Sequence, residues 1–315
     1  MDTNGGRVRV GMFAPFGPFA GGPEQRRATL DRIADSGVDH VCVGDHVSFF
    51  VGAGADAQIN ATSLLTHYAE LPCYVALYLL PLRHPAPVAR QLASIAEIAP
   101  GRLTLGVGIG GEDRHELEIC GIDPSTRGRR MDECLQIVRA LSDGAPVSFE
   151  GEFFSLTDAL IVPAPSPRIP FIVGGRSEAA VRRAGRFGDG WLGIWVSSRR
   201  FAAVVEQIAQ EAGDAGRDPG GFEHAINIWC GFGATREAAR APLAAGMQSF
   251  YQMPFEPFER YSPYGTPEAV AEFLHPYIEA GCSVFNVIPC AGDYDTAVSA
   301  VGELRQLLTN GRQSR

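Results

Sequence analysis

No stretch of this 315-residue chain approaches the roughly 20 apolar residues that a membrane-spanning helix needs, so a membrane role is not expected. No run of five Lys/Arg residues occurs, and 36 acidic residues face 27 basic ones, for a formal net charge of -9. That balance argues against nucleic acid or an anionic lipid surface as the main partner. The seven cysteines are scattered and form no CxxC pair. They read as small buried hydrophobes in a reducing compartment, and neither disulfides nor a metal site is expected. The start, Met1-Asp-Thr-Asn-Gly-Gly-Arg7, lacks the apolar core and cleavage site of a secretory signal. A cytoplasmic location is the expectation.

What is present is a regular alternation. With 45% hydrophobic and 20% charged residues, the chain suits one large domain or two small ones. Strand patterns are expected at Val8–Ala14, His40–Gly44, Tyr74–Leu80, Leu103–Val107, Phe171–Val173, Gly190–Val196, Ala225–Gly231 and Ser283–Ile288. Helix patterns fall at Pro23–Ser36, Val88–Ala99, Gly128–Leu141 and Glu178–Phe187, then at about Arg200–Ala212, Glu237–Ala245, Pro267–Ala280 and Tyr294–Leu308. Val147–Leu156 alternates around Glu150-Gly151 like a hairpin. Segment Met247–Gly265, aromatic and proline-rich without a period, reads as a long lid-like loop. About eight βα units with short connections predict a (β/α)8 barrel with insertion segments, residues 1–315 forming one domain.

The sharpest local signal is Leu103-Thr-Leu-Gly-Val-Gly-Ile-Gly-Gly111. An apolar run ends in glycines, which lets backbone approach a ligand closely. The Gly106-x-Gly108-x-x-Gly111 spacing also matches a dinucleotide turn. That reading fails on context, because no helix opens within the motif. A ligand-facing rim holding Gly108 and Gly110, or a plain tight turn, remain. Glu112 follows at once, and His115 and Glu116 either reach the pocket or form a solvated loop.

Asp45-His46 follows the second strand pattern. Such a histidine can trade protons near neutral pH beside a carboxylate that accepts a ligand donor. In the alternative, Asp45 caps the next element and His46 packs. Gly174-Gly-Arg-Ser177 ends a strand and opens a helix. Free N–H groups there, with Arg176 and Ser177, suit a phosphate. The alternative is an ordinary Ser N-cap. Of the tryptophans, Trp195 lies at a strand's end, where it could line a flat cofactor's pocket.

These residues resemble the bacterial luciferase-like monooxygenase superfamily, whose members use flavin or coenzyme F420. The likeness rests on Gly44-Asp-His46, Leu80-Pro-Leu-Arg-His-Pro85, Gly101-Arg-Leu-Thr-Leu-Gly-Val-Gly108, Arg127–Glu133, Gly174-Gly-Arg-Ser177, Gly188-Asp-Gly-Trp191 and Gly265-Thr-Pro-Glu268, in family order. The stretch Arg127–Glu133 and the Gly111-Glu112 rim especially resemble F420-dependent members. The resemblance implies a TIM barrel with an insertion near Val147–Val162. It implies a tricyclic ring at the strands' C-terminal face, over a bulge with a non-prolyl cis peptide at Ala76-Leu77. It implies that Asp45 and His46 face that ring, that Gly174, Gly175, Arg176 and Ser177 take the phosphate, and that the chain forms a homodimer. Two departures stand out. Sugar-phosphate dehydrogenases of the family carry an acidic residue where Gly111 stands, one place before Glu112. Flavin-type luciferases carry an arginine where Ile109 stands.

The expected function is an F420-dependent oxidoreductase passing hydride between the deazaflavin and a small organic substrate. His46 and Glu112 are the candidate catalytic groups. Phe13, Phe16, Trp195, Phe250 and Tyr251 are expected to shape a largely apolar substrate pocket. The alternatives are an FMN-dependent monooxygenase fed by a partner flavin reductase and a non-catalytic flavin-binding barrel.

Overall fold

The computed structural model describes residues 7–15, 22–50, 52–111 and 113–310. Phe16 and Glu112, both singled out from the sequence, lie outside the described residues. Eight strands form the barrel: Arg9–Phe13, His40–Val43, Cys73–Leu79, Leu103–Gly108, Phe171–Gly174, Gly190–Ile194, Glu223–Phe232 and Val284–Cys290. Every neighbouring pair is parallel, and the sixth and seventh strands also pair, which closes the ring. This is the (β/α)8 barrel expected. A two-residue strand, Tyr264–Gly265, extends the seventh strand's edge.

Most barrel strands are buried along nearly their whole length, which is why they read as apolar runs rather than alternations. One buried cluster fills the barrel's inside around Cys42, Tyr74, Ala76, Ile172 and Leu192, with Phe13 and Leu77 against it. The main core lies between strands and helices. Helix starts are set by side-chain caps. Asp56, Ser177, Ser197, Thr235 and Thr266 each accept a backbone N–H of the first turn. Pro23, Pro85 and Pro267 open their helices at positions where no N–H is needed.

Three expectations need correction. The segment 247–265 is not one loop. Helix Arg236–Tyr251 runs through its first residues and stops at Gln252, which has a left-handed φ of 53°. The helix expected at about Glu237–Ala245 passes Pro242 and continues to Tyr251. The glycine rim leads to the short helix Arg114–Glu118 before helix Arg127–Leu141 begins. The second barrel strand ends at Val43, and His46 instead starts a small hairpin, His46–Phe49 against Ala53–Ala55, followed by helix Ala57–His67. The expected hairpin is present as Val147–Glu150 paired with Ser155–Ala159.

Candidate active site

A cavity of about 660 Å³ opens at the C-terminal ends of the strands, within the range of small-molecule sites. Its floor is built on the third strand. The Ala76–Leu77 peptide there is cis, as the resemblance implies, and the pairing with the fourth strand slips between Val75 and Tyr78. Leu77 lies across the two neighbouring strands. A Cβ on Gly174 would stand 2.4 Å from Leu77 Cδ1, and one on Gly108 2.7 Å from it. Both distances are shorter than carbon–carbon contact allows. Gly108, Gly110, Gly174 and Gly175 all border the cavity. The missing side chains of Gly108 and Gly174, however, make room for Leu77 rather than for a ligand.

His46 borders the cavity at the foot of its hairpin. Its Nδ1 lies 3.1 Å from Glu116 Oε2, and Glu116 Oε1 accepts the N–H groups of Val47 at 2.7 Å and Ser48 at 3.2 Å. Glu116 is 2% exposed. Burial pushes its carboxyl upward, but the bonds from His46, Val47 and Ser48 outweigh this and hold it below the ordinary carboxylate value. The geometry pins the imidazole by Nδ1 and leaves Nε2 without a partner among the described residues. Phe49 stacks on the ring at 4.1 Å, and Phe250 meets it edge-on at 6.1 Å. His115, by contrast, is exposed and faces Glu118.

Asp45 also borders the cavity, but its side chain is wholly buried and fully engaged. Oδ1 accepts from Ala57 N at 3.1 Å and an Arg83 nitrogen at 2.9 Å; Oδ2 accepts from Leu79 N at 2.9 Å and the other Arg83 nitrogen at 2.5 Å. Burial disfavours the Arg83 charge, yet the Asp45 carboxylate holds the guanidinium above its ordinary value. With every lone pair in use, this carboxylate has nothing to offer a cofactor. The expectation of a direct contact gives way to a buried clamp that ties the strand ends to helix Ala57–His67.

On the opposite wall, the fifth strand ends in Gly174-Gly175 and helix Glu178–Phe187 begins. Gly175, Arg176, Ser177 and Ala180 border the cavity. Trp191, fully buried, donates its indole N–H to the Gly175 carbonyl at 2.8 Å and pins the turn. The Ser177 hydroxyl caps the helix by accepting Ala180 N–H at 3.3 Å. The Arg176 guanidinium lies over the Trp195 ring, 5.3 Å from its centroid. A helix start, a cation and a hydroxyl thus converge at one end of the cavity, a donor set that fits a phosphate. The remaining wall is aromatic. Trp195, which has a left-handed φ of 51°, meets Tyr251 at 4.9 Å and Phe258 at 4.6 Å, while Phe250 meets Phe49 at 5.1 Å and Trp229 at 5.9 Å. Phe13 and Ile109 complete it.

The sequence reading missed Arg83, Phe49, Trp229 and Asn227, all at or beside the cavity. The Arg83-His-Pro85 stretch carried the first without signalling its partner 38 residues away. Glu116 was one of two readings of a charged loop. A more open groove of about 710 Å³, between helices Pro23–Asp35 and Ala57–His67, contains none of these groups.

A family model of the luciferase-like monooxygenases matches residues 8–274. The chain belongs to this family. Among its relatives is an uncharacterized protein of Mycobacterium tuberculosis, 41% identical over 137 residues, 42% of this chain and 47% of that one. The chain thus spans under half the length of the first mycobacterial relatives it matches. The F420-dependent glucose-6-phosphate dehydrogenase of Kineococcus radiotolerans is 26% identical over 312 residues, covering 89% of this chain and 91% of that one. Among solved structures, an F420-dependent secondary alcohol dehydrogenase in complex with an F420-acetone adduct shares the fold. Its TM-score is 0.81 at 20% identity, over 96% of this chain and 99% of that one. The EDTA monooxygenase of Chelativorans sp. BNC1 does so with a TM-score of 0.76 at 17% identity, over 97% and 94%. No helix among the described residues is long and apolar enough to cross a membrane.

Proposed function

We propose that this luciferase-like enzyme is an F420-dependent oxidoreductase in which His46 moves the proton that accompanies hydride transfer. The observation that carries the reading is His46 on the cavity wall, with Nδ1 held by Glu116 and Nε2 without a partner among the described residues. A bound deazaflavin supplies two-electron hydride chemistry. The chain's own residues do the rest. Arg176, Ser177 and the start of helix Glu178–Phe187 hold the phosphate. Ala76 and Leu77 underlie the ring. The aromatic wall of Phe49, Trp195, Trp229, Phe250 and Tyr251 excludes water and selects a largely apolar substrate. His46 Nε2 gives a proton to, or takes one from, the substrate oxygen or carbon, and Glu116 stabilises the imidazolium formed when Nε2 takes one.

Ile109 on the cavity wall supports F420 over FMN, since flavin-type luciferases carry an arginine at that place. Titrating the pure protein with oxidised and reduced F420 and FMN tests the cofactor. Tight F420 binding with weak FMN binding is expected, and the reverse order overturns the reading. Replacing Arg176 and Ser177 together with Ala should weaken cofactor binding by about 1–3 kcal/mol, the worth of hydrogen bonds to a charged group. Unchanged affinity in a folded double variant would remove the phosphate placement.

A further inference from the structure

Inside the barrel, at the floor of the cavity, four neighbouring strands bring His40, Gly11, Asn286 and Asn227 side by side in register. The three side chains form a continuous chain of hydrogen bonds. His40 Nε2 lies 2.7 Å from Asn286 Oδ1, Asn286 Nδ2 lies 3.1 Å from Asn227 Oδ1, and Asn227 Nδ2 lies 3.4 Å from the Ala76 carbonyl oxygen. Asn286 is 0% exposed, His40 1% and Asn227 9%. Gly11 makes the crossing possible: a Cβ there would stand 2.3 Å from the His40 ring. His40 reaches Asn286 only because the intervening strand has no side chain at this level.

The chain of bonds has a direction. The Ala76 carbonyl can only accept, so Asn227 must present its NH₂ to it. Asn227 Oδ1 then faces Asn286, which must donate, and Asn286 Oδ1 faces His40. His40 must therefore donate from Nε2. Two observations at the far end agree. The Cys42 thiol points at the same Asn286 Oδ1 at 3.3 Å, as a donor would. His40 Nδ1 is buried without a partner. A bare lone pair there is cheaper than the orphaned N–H that the other tautomer would leave.

We infer that Asn227 is a positioning residue, which fixes the Ala76 carbonyl beneath the cofactor cavity and is itself held by Asn286 and an Nε2–H His40. Asn227 and Ala76 both border the cavity, so the end of this buried chain is part of the floor. The inference rests on the proposed reading of the cavity as the ring site. Through it, groups that touch no ligand set where the floor's backbone sits. Burial keeps His40 uncharged, its pKa lowered to about 4.

Long-range ¹H–¹⁵N NMR on histidine-labelled protein, with His40→Gln for assignment, reads the tautomer in the protein without cofactor. The Nε2–H form is expected at pH 7 and at pH 5. An Nδ1–H or charged His40 there overturns the directed chain. Asn227→Leu, close in volume but without the amide, leaves the carbonyl unpaired. A mixed His40 tautomer is expected, together with an affinity for F420 or FMN, whichever the wild type binds, lower by about tenfold to a hundredfold. A tautomer change with unaltered affinity overturns the positioning role; lost affinity with an unaltered tautomer overturns the chain. Asn227→Ala, which can neither donate to Ala76 nor accept from Asn286, takes the same readouts if the leucine variant does not fold. If the wild type binds neither cofactor, the reading of the site and the positioning role fall together. The tautomer failing by itself overturns only the chain of bonds.

Discussion

At the scale of single residues, the two buried carboxylates Asp45 and Glu116 have opposite jobs. Glu116 keeps one partner that can move a proton, and Asp45 keeps none. His46→Ala should retain its fold and most cofactor affinity while losing turnover by ~10²–10⁴, the usual cost of removing a positioned acid–base group. Single-turnover kinetics at saturating cofactor would read this, and a wild-type rate there ends the acid–base role. Arg83→Met should act differently. It leaves the buried Asp45 carboxylate without its cation, which typically costs about 3–5 kcal/mol. Urea unfolding measures that loss, and stability within about 1 kcal/mol of wild type would show that the pair is not the clamp described. The motif Gly44-Asp-His46 pointed to the right place but did not separate these roles. Asp45's partner sits 38 residues along the chain and His46's partner 70, and no local spacing encodes either.

At the scale of elements, the glycines at the strand ends are a packing device. The fourth and fifth strands lack side chains where Leu77 of the third strand lies over them. Gly174→Ala should therefore weaken both stability and cofactor binding, and Leu77→Ala made together with it should recover part of each loss. A double-mutant cycle gives the coupling, expected at about 0.5–3 kcal/mol for residues in direct contact. Strictly additive losses would sink the interpretation. The sequence showed the glycine cluster but attributed it to ligand approach, because the residue that fills the space belongs to another strand. The eight strands were legible because burial on both faces gives unbroken apolar runs. The hairpin carrying His46 was not, since its two short arms are half-exposed and lack a period. Nor was the end of helix Arg236–Tyr251, where Met247, Phe250 and Tyr251 face aromatic neighbours rather than forming a simple stripe.

At the scale of the whole molecule, the barrel stores uncharged histidines on both faces of its sheet. His40 and His224 are buried, and burial lowers the pKa of each to about 4 from an ordinary 6.5. Between those values the unfolded chain binds protons that the folded one does not. Stability is therefore full above about pH 6.5 and falls as pH drops toward 4, by up to roughly 3 kcal/mol for each histidine. Urea unfolding at pH 7 and pH 5 should show the loss, with a smaller difference in His224→Gln. Equal differences in the variant and the wild type would exclude His224 as a source.

The placement of the three tryptophans has an optical consequence. Trp195 and Trp229 border the cavity, whereas Trp191 is sealed beneath the Gly175 turn. A deazaflavin or flavin absorbs where indoles emit, and such transfer reaches well beyond contact, so a ring docked against this wall would draw excitation from all three. The protein thus carries a built-in gauge of its own occupancy. Quenching of the indole emission would report docking without any label or turnover.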